Sequence, residues 1–480
     1  MKKNVLVITL GNSDVQLFRD ERSLQYFVNE NEFCINSRSI EIKINRNYKD
    51  WFLLKDSRAG GKVVLENYDR FINYLRFPLV QPLIDKIKSG DLLVNLIVWV
   101  FTDQIDSEAF KFSDTLYYAD ILEKYIKSAL PHILHKKIGI REKVKDIDFQ
   151  YRNFGKELDT ILPDKDEISK IFLFPQGGID QINHALTLQL LQKFTDKVDF
   201  FQHAEKDVLR KLDFPNLFIK DLTRQKILKH LEDYDFGKAA ELVFDSEELV
   251  KKLRFAADRL SLRHDYIDWN SFNDFYYIDW DSLSPIEKNQ EKLKDLVYSF
   301  KIDYKQGLYN SALTKLYTIY ENVYKCIVDR FVGIDTSSYY DNKIRPGERN
   351  EKWEDFLCCR FGQNFLEQLK NPKKGKSPVH LNNPNTRTYL KAVLHMIKEK
   401  KYSKVSEKDA KSFDGALNEL RQLRNFIAHS LGAATKKDID TKLRKISFDK
   451  LLDILDNFVG TSGLGPYKEI KNLGIEFYKP

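Results

Sequence analysis

The sequence is poor in cysteine, and the positions of its cysteines exclude two kinds of site. It has four, Cys34, Cys326, Cys358 and Cys359, and no two of them form a C-x-x-C pair. Neither a zinc-binding motif nor a disulfide framework can be assembled from this spacing. We therefore expect reduced thiols, as in a cytosolic protein.

Long apolar runs are also missing. No run in the 480 residues reaches the ~18–20 apolar residues of a membrane-spanning helix. The chain begins Met-Lys-Lys-Asn and continues into a strand-like segment, without the small-residue cleavage site of a signal peptide. We expect a soluble, cytoplasmic protein that has no membrane partner.

Two common nucleotide-binding signatures are absent from the sequence. Neither the G-x-G-x-x-G dinucleotide fingerprint nor the P-loop G-x-x-x-x-G-K-[ST] occurs, which disfavours ordinary NAD or ATP binding. The charge is only mildly basic, with 78 basic and 71 acidic residues and a net charge of +7. Such a surplus permits nucleic-acid binding but does not demonstrate it.

What the sequence does have is length and apolar content. With 480 residues, of which 42% are hydrophobic and 13% aromatic, it can form more than one core, because single cores stop growing at about 250–300 residues. We predict an α/β domain over residues 1–195, a helical connector over 196–284 and an all-α helical bundle over 285–480.

Three short apolar runs in the first domain are typical of buried parallel strands. They cover residues 5–10, 92–101 and 171–174. Helical patterns lie between and after these runs, for example over residues 117–128. Strands that alternate with helices predict a Rossmann-like domain built on a parallel sheet.

Each of the three runs ends in a small or polar loop. Open parallel sheets bind ligands at the carboxyl ends of their strands, and paired glycines let a backbone approach a ligand closely. A plain strand-to-helix turn would also explain the Gly-Gly pair. The candidate ligand-binding residues are Gly11, Asn12, Ser13, Asp14, Thr102, Asp103, Gln104, Gly177, Gly178, Ile179, Asp180 and Gln181.

The most informative stretch lies near the C-terminal end, within a long helical pattern. It reads Arg424-Asn425-Phe-Ile-Ala428-His429. Histidine exchanges a proton near neutral pH, and the permanently charged fork of arginine fits a phosphate. Together these two side chains can cleave RNA without a metal. The candidate catalytic residues are therefore Arg424, His429 and Asn425.

Two other pairs in the chain match the same loose spacing. They are Arg224 with His230 and Arg259 with His264. Because the chain has nine histidines and many arginines, chance matches are expected. A solvated helix face or a satisfied surface histidine is the simpler interpretation of these two pairs. The third pair differs by its intervening asparagine and alanine and by its uninterrupted helical pattern.

Helix geometry limits what one copy of this motif can do. Residues five apart are separated by about 140° around an ideal helix, so Arg424 and His429 do not share one stripe. Asn425 and His429 do face the same way. The long side chain of Arg424 can swing toward that face, but a site built from one helix is cramped.

These motifs resemble those of a known family. The segment Arg424-Asn-x-x-Ala-His429 resembles the R-x(4–6)-H signature of HEPN-domain ribonucleases. The three strand-end loops look like those of a CARF domain, the Rossmann-like sensor of cyclic oligoadenylates, although Val15 and Ile179-Asp180 depart from that pattern. An α/β domain before a HEPN bundle resembles the CARF–HEPN ancillary ribonucleases of type III CRISPR systems.

The resemblance implies an activity and its partners. It implies a homodimer that cleaves single-stranded RNA in antiviral defence without metal or cofactor, activated by cyclic tetra- or hexa-adenylate. The RNA's own 2′-hydroxyl would attack the adjacent phosphate, and Arg424 would stabilise the charge that develops. His429 would exchange a proton with the 2′-hydroxyl or with the leaving oxygen. Asn425 would bind phosphate or fix the histidine.

Two alternatives remain open from the sequence alone. One is a HEPN toxin or antiphage ribonuclease whose α/β domain senses something else, which should ignore cyclic oligoadenylates. The other is a non-enzymatic, nucleotide-sensing binding protein in which Arg424 and His429 are structural. The second alternative predicts unchanged behaviour after His429→Ala.

Overall fold

A computed structural model gives the arrangement of two units, Met1–Leu222 and Thr223–Pro480. We call them the α/β unit and the helical unit and describe each by itself. The residues described are 2–18, 27–29, 32–35, 38–44, 51–105, 110–204, 208–269, 278–345, 348–372, 377–430, 432–443 and 446–479.

The strands lie in the α/β unit and form two sheets. In the described residues they are β1 (Lys3–Thr9), β2 (Gln16–Phe18), β3 (Phe27–Asn29), β4 (Glu32–Ile35), β5 (Arg38–Ile44), β6 (Trp51–Leu54), β7 (Leu75–Arg76), β8 (Leu96–Thr102), β9 (Leu134–Ile140), β10 (Ile168–Phe174), β11 (Val198–Ala204) and β12 (Val208–Leu212). The main sheet has the order β12-β11-β10-β1-β8-β9. Its neighbours are parallel, except that β12 is antiparallel to β11. The predicted Rossmann-like sheet is confirmed.

Strand β1 lies in the middle of the main sheet and sets the position of a crevice. The chain runs from β1 through β8 to β9 on one side, then returns to β10 on the other side. The order of the strands therefore reverses between β1 and β10. Loops at the carboxyl ends of strands on either side of such a point form a crevice that binds ligands. Gly11 follows β1 and Gly177 follows β10.

The smaller sheet is a feature that the sequence did not predict. It is antiparallel, with the order β3-β4-β5-β6-β2-β7. Consecutive strands pair from β3 to β6, whereas β2 pairs with the distant strands β6 and β7, as in the pairing of Leu17 with Phe52. Phe52 and Leu54 are buried in the same core as Trp99 of the main sheet. The small sheet thus covers part of one face of the large one.

Helices cover both faces of the main sheet. The described ones are α1 (Ser57–Glu66), α2 (Tyr68–Phe71), α3 (Gln81–Ser89), α4 (Leu116–Ala129), α5 (Ile147–Ile161) and α6 (Asp180–Phe194). Alternate residues of a strand point to opposite faces, so Leu6 and Ile8 of β1 join the core under α3 and α4. Val5 and Val7 join the core under α5 and α6.

The described part of the second unit is all α-helical, as predicted. Its helices are α7 (Phe214–Glu232), which contains the division between the units, α8 (Phe236–Leu242), α9 (Glu247–Leu260), α10 (Pro285–Lys305), α11 (Tyr309–Val332), α12 (Glu351–Phe361), α13 (Gln363–Lys370), α14 (Thr386–Lys398), α15 (Glu407–Ser430), α16 (Lys436–Lys442), α17 (Phe448–Val459) and α18 (Pro466–Tyr478). The division into three regions at residues 195 and 284 stays a prediction, and β11 and β12 lie after its first limit.

Helices α11 and α15 run side by side and carry the motif with Arg424. Leu316 of α11 and Leu420 of α15 are buried in one core. The hydroxyl of Tyr320 donates to Asp414 at 2.7 Å, which joins the two helices in their middle. Helix α15 is unbroken through the motif, so the predicted long helix is confirmed. No helix among the described residues combines the length and apolarity needed to cross a membrane.

Candidate functional site

The loops after β1, β8 and β10 meet around one cavity of about 310 Å³. Residues from all three predicted loops line it. Leu79 and Thr115 add walls that the sequence did not predict. The predicted residues that line the cavity are Gly11, Asn12, Ser13, Thr102, Gln104, Gly177, Gly178 and Ile179.

Two glycines allow the loops after β1 and β10 to pack backbone against backbone. A Cβ on Gly177 would overlap the carbonyl oxygen of Thr9, and a Cβ on Gly11 would overlap the backbone nitrogen of Gly178. The hydroxyl of Thr9 donates to the Gly177 carbonyl at 2.8 Å. Asn183 donates to the same carbonyl at 3.0 Å. This packing therefore requires glycine at both Gly11 and Gly177, whether or not a ligand binds.

Asp14 is a predicted ligand-binding residue that lies behind the cavity. Its side chain is fully buried, and its Oδ2 accepts the backbone N–H of Gly11 at 2.5 Å. Its Oδ1 is buried with no hydrogen-bond partner among the described residues. Burial raises the pKa of Asp14 to about 7, against the lowering effect of the Gly11 N–H. Asp14 thus shapes the loop after β1.

Three other predicted residues lie outside the cavity lining that the described residues form. Asp103 pairs with Arg58 at 3.1 Å and with Arg141 at 3.6 Å. Asp180 and Gln181 stand in the first turn of α6, where the N-cap provides no side-chain hydrogen bond. Free N–H groups at a helix start favour an anion nearby. This start is next to the cavity, since Gly178 and Ile179 line it.

A largely buried ionic network, which no local sequence pattern predicts, fixes the loop after β8. Arg58 donates to Asp114 at 2.5 Å and to the Gln104 carbonyl at 3.2 Å. Asp114 is fully buried and accepts both the backbone and the side-chain N–H of Gln104, each at 2.7 Å. Because this network holds Gln104 in place, the cavity wall is set before any ligand arrives.

Arg424 is positioned by helix α11. Its guanidinium carbon lies 5.1 Å from the centre of the Tyr317 ring, a cation–π distance. Its Nη1 donates to Asn425 Oδ1 at 3.2 Å. Burial and a hydrogen bond to Glu321 raise the pKa of Tyr317, whereas Arg424 lowers it. Glu321, one turn further along α11, therefore acts on the Tyr317 hydroxyl.

His429, unlike Arg424, is not positioned by any contact among the described residues. It is exposed, and no described residue forms a hydrogen bond or an ion pair with it. One exposed face of α15, at three- and four-residue spacing, carries Gln422, Asn425, Phe426 and His429. Phe426 is 67% exposed on that face. The described chain positions the arginine of the motif and leaves its histidine unsupported.

The two other arginine–histidine pairs have different surroundings. His230 is half-buried and lies 3.3 Å from Asp235, in agreement with a satisfied surface histidine. Arg259 and His264 are buried, so the expectation of a solvated pair is wrong for them. Both contact Asp295, Arg259 through two hydrogen bonds of 2.8 Å and His264 at 2.7 Å. Asp295 is itself buried and also accepts from Tyr467.

Among the described residues, no group of three or more His, Cys, Asp or Glu side chains is arranged to hold a metal ion.

Residues 283–475 match the family model of the Cas_Csm6 HEPN domain. In structure, the chain is similar to Enterococcus italicus Csm6 bound to cyclic hexa-2′-fluoro-hexa-dAMP, with a TM-score of 0.56, 13% identity and 99% of each chain covered. No protein with a curated description matches the sequence significantly. The first finding confirms the HEPN resemblance of the C-terminal region, and the second shows that the chain has the fold of Csm6.

Proposed function

From a C-terminal region that matches the Csm6 HEPN family and a chain with the Csm6 fold, we propose a cyclic-oligoadenylate-activated endoribonuclease of CRISPR antiviral defence. It cleaves single-stranded RNA at a site built on Arg424 and His429. The observation that carries the proposal is the position of the motif, at the exposed end of α15 within the family match.

The proposed chemistry uses the RNA's own 2′-hydroxyl and needs no metal. The 2′-oxygen attacks the adjacent phosphorus, the bond from phosphorus to the 5′-oxygen breaks, and a 2′,3′-cyclic phosphate and a 5′-hydroxyl result. Arg424 stabilises the extra negative charge on the phosphorane-like transition state. His429 accepts the proton of the 2′-hydroxyl or donates one to the 5′-oxygen. Asn425 holds the phosphate or the arginine.

The activator site of the proposal is the cavity at the strand ends. Backbone N–H groups beside the paired glycines and the start of α6 provide donors for phosphate, as anion sites at helix starts do. Gln104 and Thr102 provide amide and hydroxyl groups for a base or a ribose. The cavity, of about 310 Å³, holds only a part of a cyclic tetra- or hexa-adenylate. A second copy would bind the rest of the ring.

The proposed protein acts as a homodimer, because one cavity accommodates only part of the ring. A ring with two-fold symmetry suits two identical cavities related by a two-fold axis. The exposed face of α15 carries Phe426 beside His429, an apolar group that a second α15 would cover. Pairing two copies would also supply each unsupported histidine with an arginine from the other chain. Binding of the ring activates because the active arrangement of the dimer binds it more tightly.

The central experiment is cleavage of labelled single-stranded RNA with and without cyclic tetra- or hexa-adenylate, in the presence of EDTA. We expect one of the rings to stimulate cleavage and EDTA to leave it unchanged. Arg424→Ala and His429→Ala should each lower the rate by about 100-fold or more. His230→Ala is the matched control, because it removes a histidine of similar spacing that is paired elsewhere.

Each part of the proposal can fail separately in this experiment. Absence of stimulation by either ring would contradict the activator. Loss of cleavage in EDTA that returns with Mg²⁺ would contradict the metal-independent chemistry. Stimulated cleavage that survives both Arg424→Ala and His429→Ala would contradict the assignment of the site.

The role of His429 can be decided with a modified substrate. An RNA whose 5′-bridging oxygen is replaced by sulfur has a leaving group that needs no proton. If His429 donates the proton, His429→Ala should cleave this RNA nearly as fast as the wild type does. If His429 takes the 2′-proton, the variant should remain slow on both substrates.

A further inference from the structure

The helical unit contains a second cavity, separate from the motif with Arg424. It has a volume of about 480 Å³ and lies between α10, α11, α17 and the loop after α14. Pockets for small ligands have volumes of roughly 300–1,000 Å³. On α11 its lining centres near Ile327, ten residues from Tyr317, which places it about 15 Å along the helix from Arg424.

The floor of this cavity is apolar and partly aromatic. Leu293, Val323 and Met396 are buried and line it. Phe331 and Phe458 add ring surfaces, and Phe331 is 41% exposed. Flat aromatic surfaces of this kind stack on nucleobases irrespective of base identity.

Tyr402 brings a polar group to the same cavity. Its hydroxyl is buried and has no hydrogen-bond partner among the described residues. Burial raises the pKa of Tyr402 to about 12, against the lowering effect of Arg330, so the hydroxyl keeps its proton. A buried hydroxyl without a partner costs free energy unless a ligand or a water completes its hydrogen bond.

The rim of the cavity is basic. Arg330, Lys401 and Lys404 are exposed and line it. No carboxylate of the described residues forms an ion pair with any of these three. Of the nearby acidic groups, Glu291 pairs with Lys294 at 2.5 Å. Glu287 caps α10 through Ser284, and this cap and, to a smaller extent, the charge of Arg330 lower the pKa of Glu287. Three cations without ion-pair partners around an apolar floor favour a ligand that has an anionic and a flat apolar part.

We propose that this cavity binds one nucleotide unit, with the base on the aromatic floor and the phosphate at Arg330, Lys401 and Lys404. The hydroxyl of Tyr402 donates to the bound nucleotide. The unit is either a free nucleoside monophosphate or one residue of an RNA strand. The second source deepens the proposed ribonuclease function and rests on it, because a strand held here would extend toward Arg424.

The test is binding, measured by calorimetry on the full chain without cyclic oligoadenylate. The probes are AMP, UMP, inorganic phosphate and a single-stranded RNA whose 2′-hydroxyls are all methylated, so that it cannot be cleaved. We expect AMP to bind more tightly than phosphate. Arg330→Gln and Lys401→Gln should each lower the affinity for AMP about fivefold or more, and Tyr402→Phe should lower it about two- to fivefold.

The matched control is Lys352→Gln, which removes an exposed lysine of α12 that does not line the cavity. It should leave the affinity for AMP and for RNA unchanged. Circular dichroism of each variant verifies that the helical unit is folded. Since no cleavage is measured, failure of the proposed ribonuclease activity would not change these results.

AMP and the methylated RNA distinguish the two sources of the nucleotide. If the variants lower the affinity for AMP but not the affinity for the methylated RNA, the cavity is a site for free nucleotides. If they lower the affinity for the methylated RNA, whether or not they also lower the affinity for AMP, the cavity is a subsite for the strand. Equal affinity for phosphate and AMP, or unchanged affinity for AMP and RNA in all variants, would overturn the proposal.

Discussion

The two candidate sites differ in how much of each is built by a single chain. At the strand ends of the α/β unit, Asp14 binds the backbone of one loop, and Asp114 fixes Gln104 of another. At the end of α15, only the arginine has a contact that positions it, and His429 is exposed. The first site is fixed by buried hydrogen bonds, and the second is open on one side.

This difference agrees with the roles proposed for the sites. A sensor cavity gains affinity when its walls are set before the ligand binds, because little ordering remains to oppose binding. A catalytic site that must stay inactive until a signal arrives cannot be complete at rest. We infer that the fixed site receives the signal and that the open site is the one whose geometry the signal changes.

The largest loss of stability is expected from a substitution where backbone atoms of the fixed site pack in contact. Gly177→Ala would place a methyl group on the carbonyl oxygen of Thr9. We expect the unfolding free energy of the α/β unit to fall by more than about 4 kcal/mol, because backbone atoms cannot move aside as side chains do. Hydrogen exchange of peptides from β1 and β10, followed by mass spectrometry, measures the loss.

Gly415→Ala is the matched control for this change. Gly415 lies in α15, and its Cβ would meet no atom within 4 Å. Alanine there should stabilise the helix by about 0.5–1 kcal/mol. Equal protection of β1 and β10 in Gly177→Ala and in the wild type would contradict the close packing of the two loops.

The second prediction concerns the buried carboxyl of the fixed site. The pKa of Asp14 is about 7 in the folded protein, against an ordinary value of 3.8 for an aspartate in the unfolded chain. Between these values the unfolded chain binds fewer protons, so stability falls as the pH rises from about 4 to about 7. The full cost above pH 7 is on the order of 4 kcal/mol. Asp14→Asn cannot ionise and should remove this part of the pH dependence.

Urea unfolding of the two proteins at pH 5 and at pH 8 measures this effect. The wild type should lose more stability than Asp14→Asn between the two pH values. Asp180→Asn serves as the control, since Asp180 is exposed at the start of α6, and it should behave like the wild type. Parallel pH profiles for the wild type and Asp14→Asn would show that the carboxyl is not confined as described.

Local patterns of the sequence predicted the elements, and contacts between distant residues decided the rest. The apolar run over residues 171–174 and the periodicity through the motif of α15 each reflect neighbours in the chain, so both elements were found. The pairings of β2 with β6 and β7 in the small sheet and the ion pair of Arg58 with Asp114 join residues far apart in sequence. No local pattern records such partners.

The surroundings of two residues, His264 and Asp14, differ from those expected. His264 was expected to be solvated, but it is buried and contacts Asp295, which lies 31 residues away in the sequence. Asp14 was expected to face a ligand, because polar residues at strand ends commonly do. Its side chain instead turns inward to Gly11, three residues earlier. Residue type and loop position indicated the location of the cavity but not the direction of each side chain.

The third prediction asks whether the open site needs a second chain. If each active site combines two copies of α15, an inactive chain should disable its partner. Wild-type protein mixed with a fourfold excess of His429→Ala, after subunit exchange, should lose about fivefold in RNA cleavage, because one wild-type chain in five finds a wild-type partner. The same excess of His230→Ala, the matched control, should add activity. Activity equal to that of the wild-type fraction alone would mean that each chain acts independently.

The smallest effect tests what holds the arginine of the open site. Tyr317 lies under Arg424 at 5.1 Å, and an exposed cation–π contact contributes about 0.5–1 kcal/mol. Tyr317→Leu should therefore lower kcat/KM for RNA by about two- to fivefold. Tyr317→Phe keeps the ring and loses only the hydrogen bond to Glu321, so it should cleave almost like the wild type. Equal losses in both variants would assign the positioning to the hydroxyl and Glu321, and the arginine would then depend on α11 through a charge network instead of a ring.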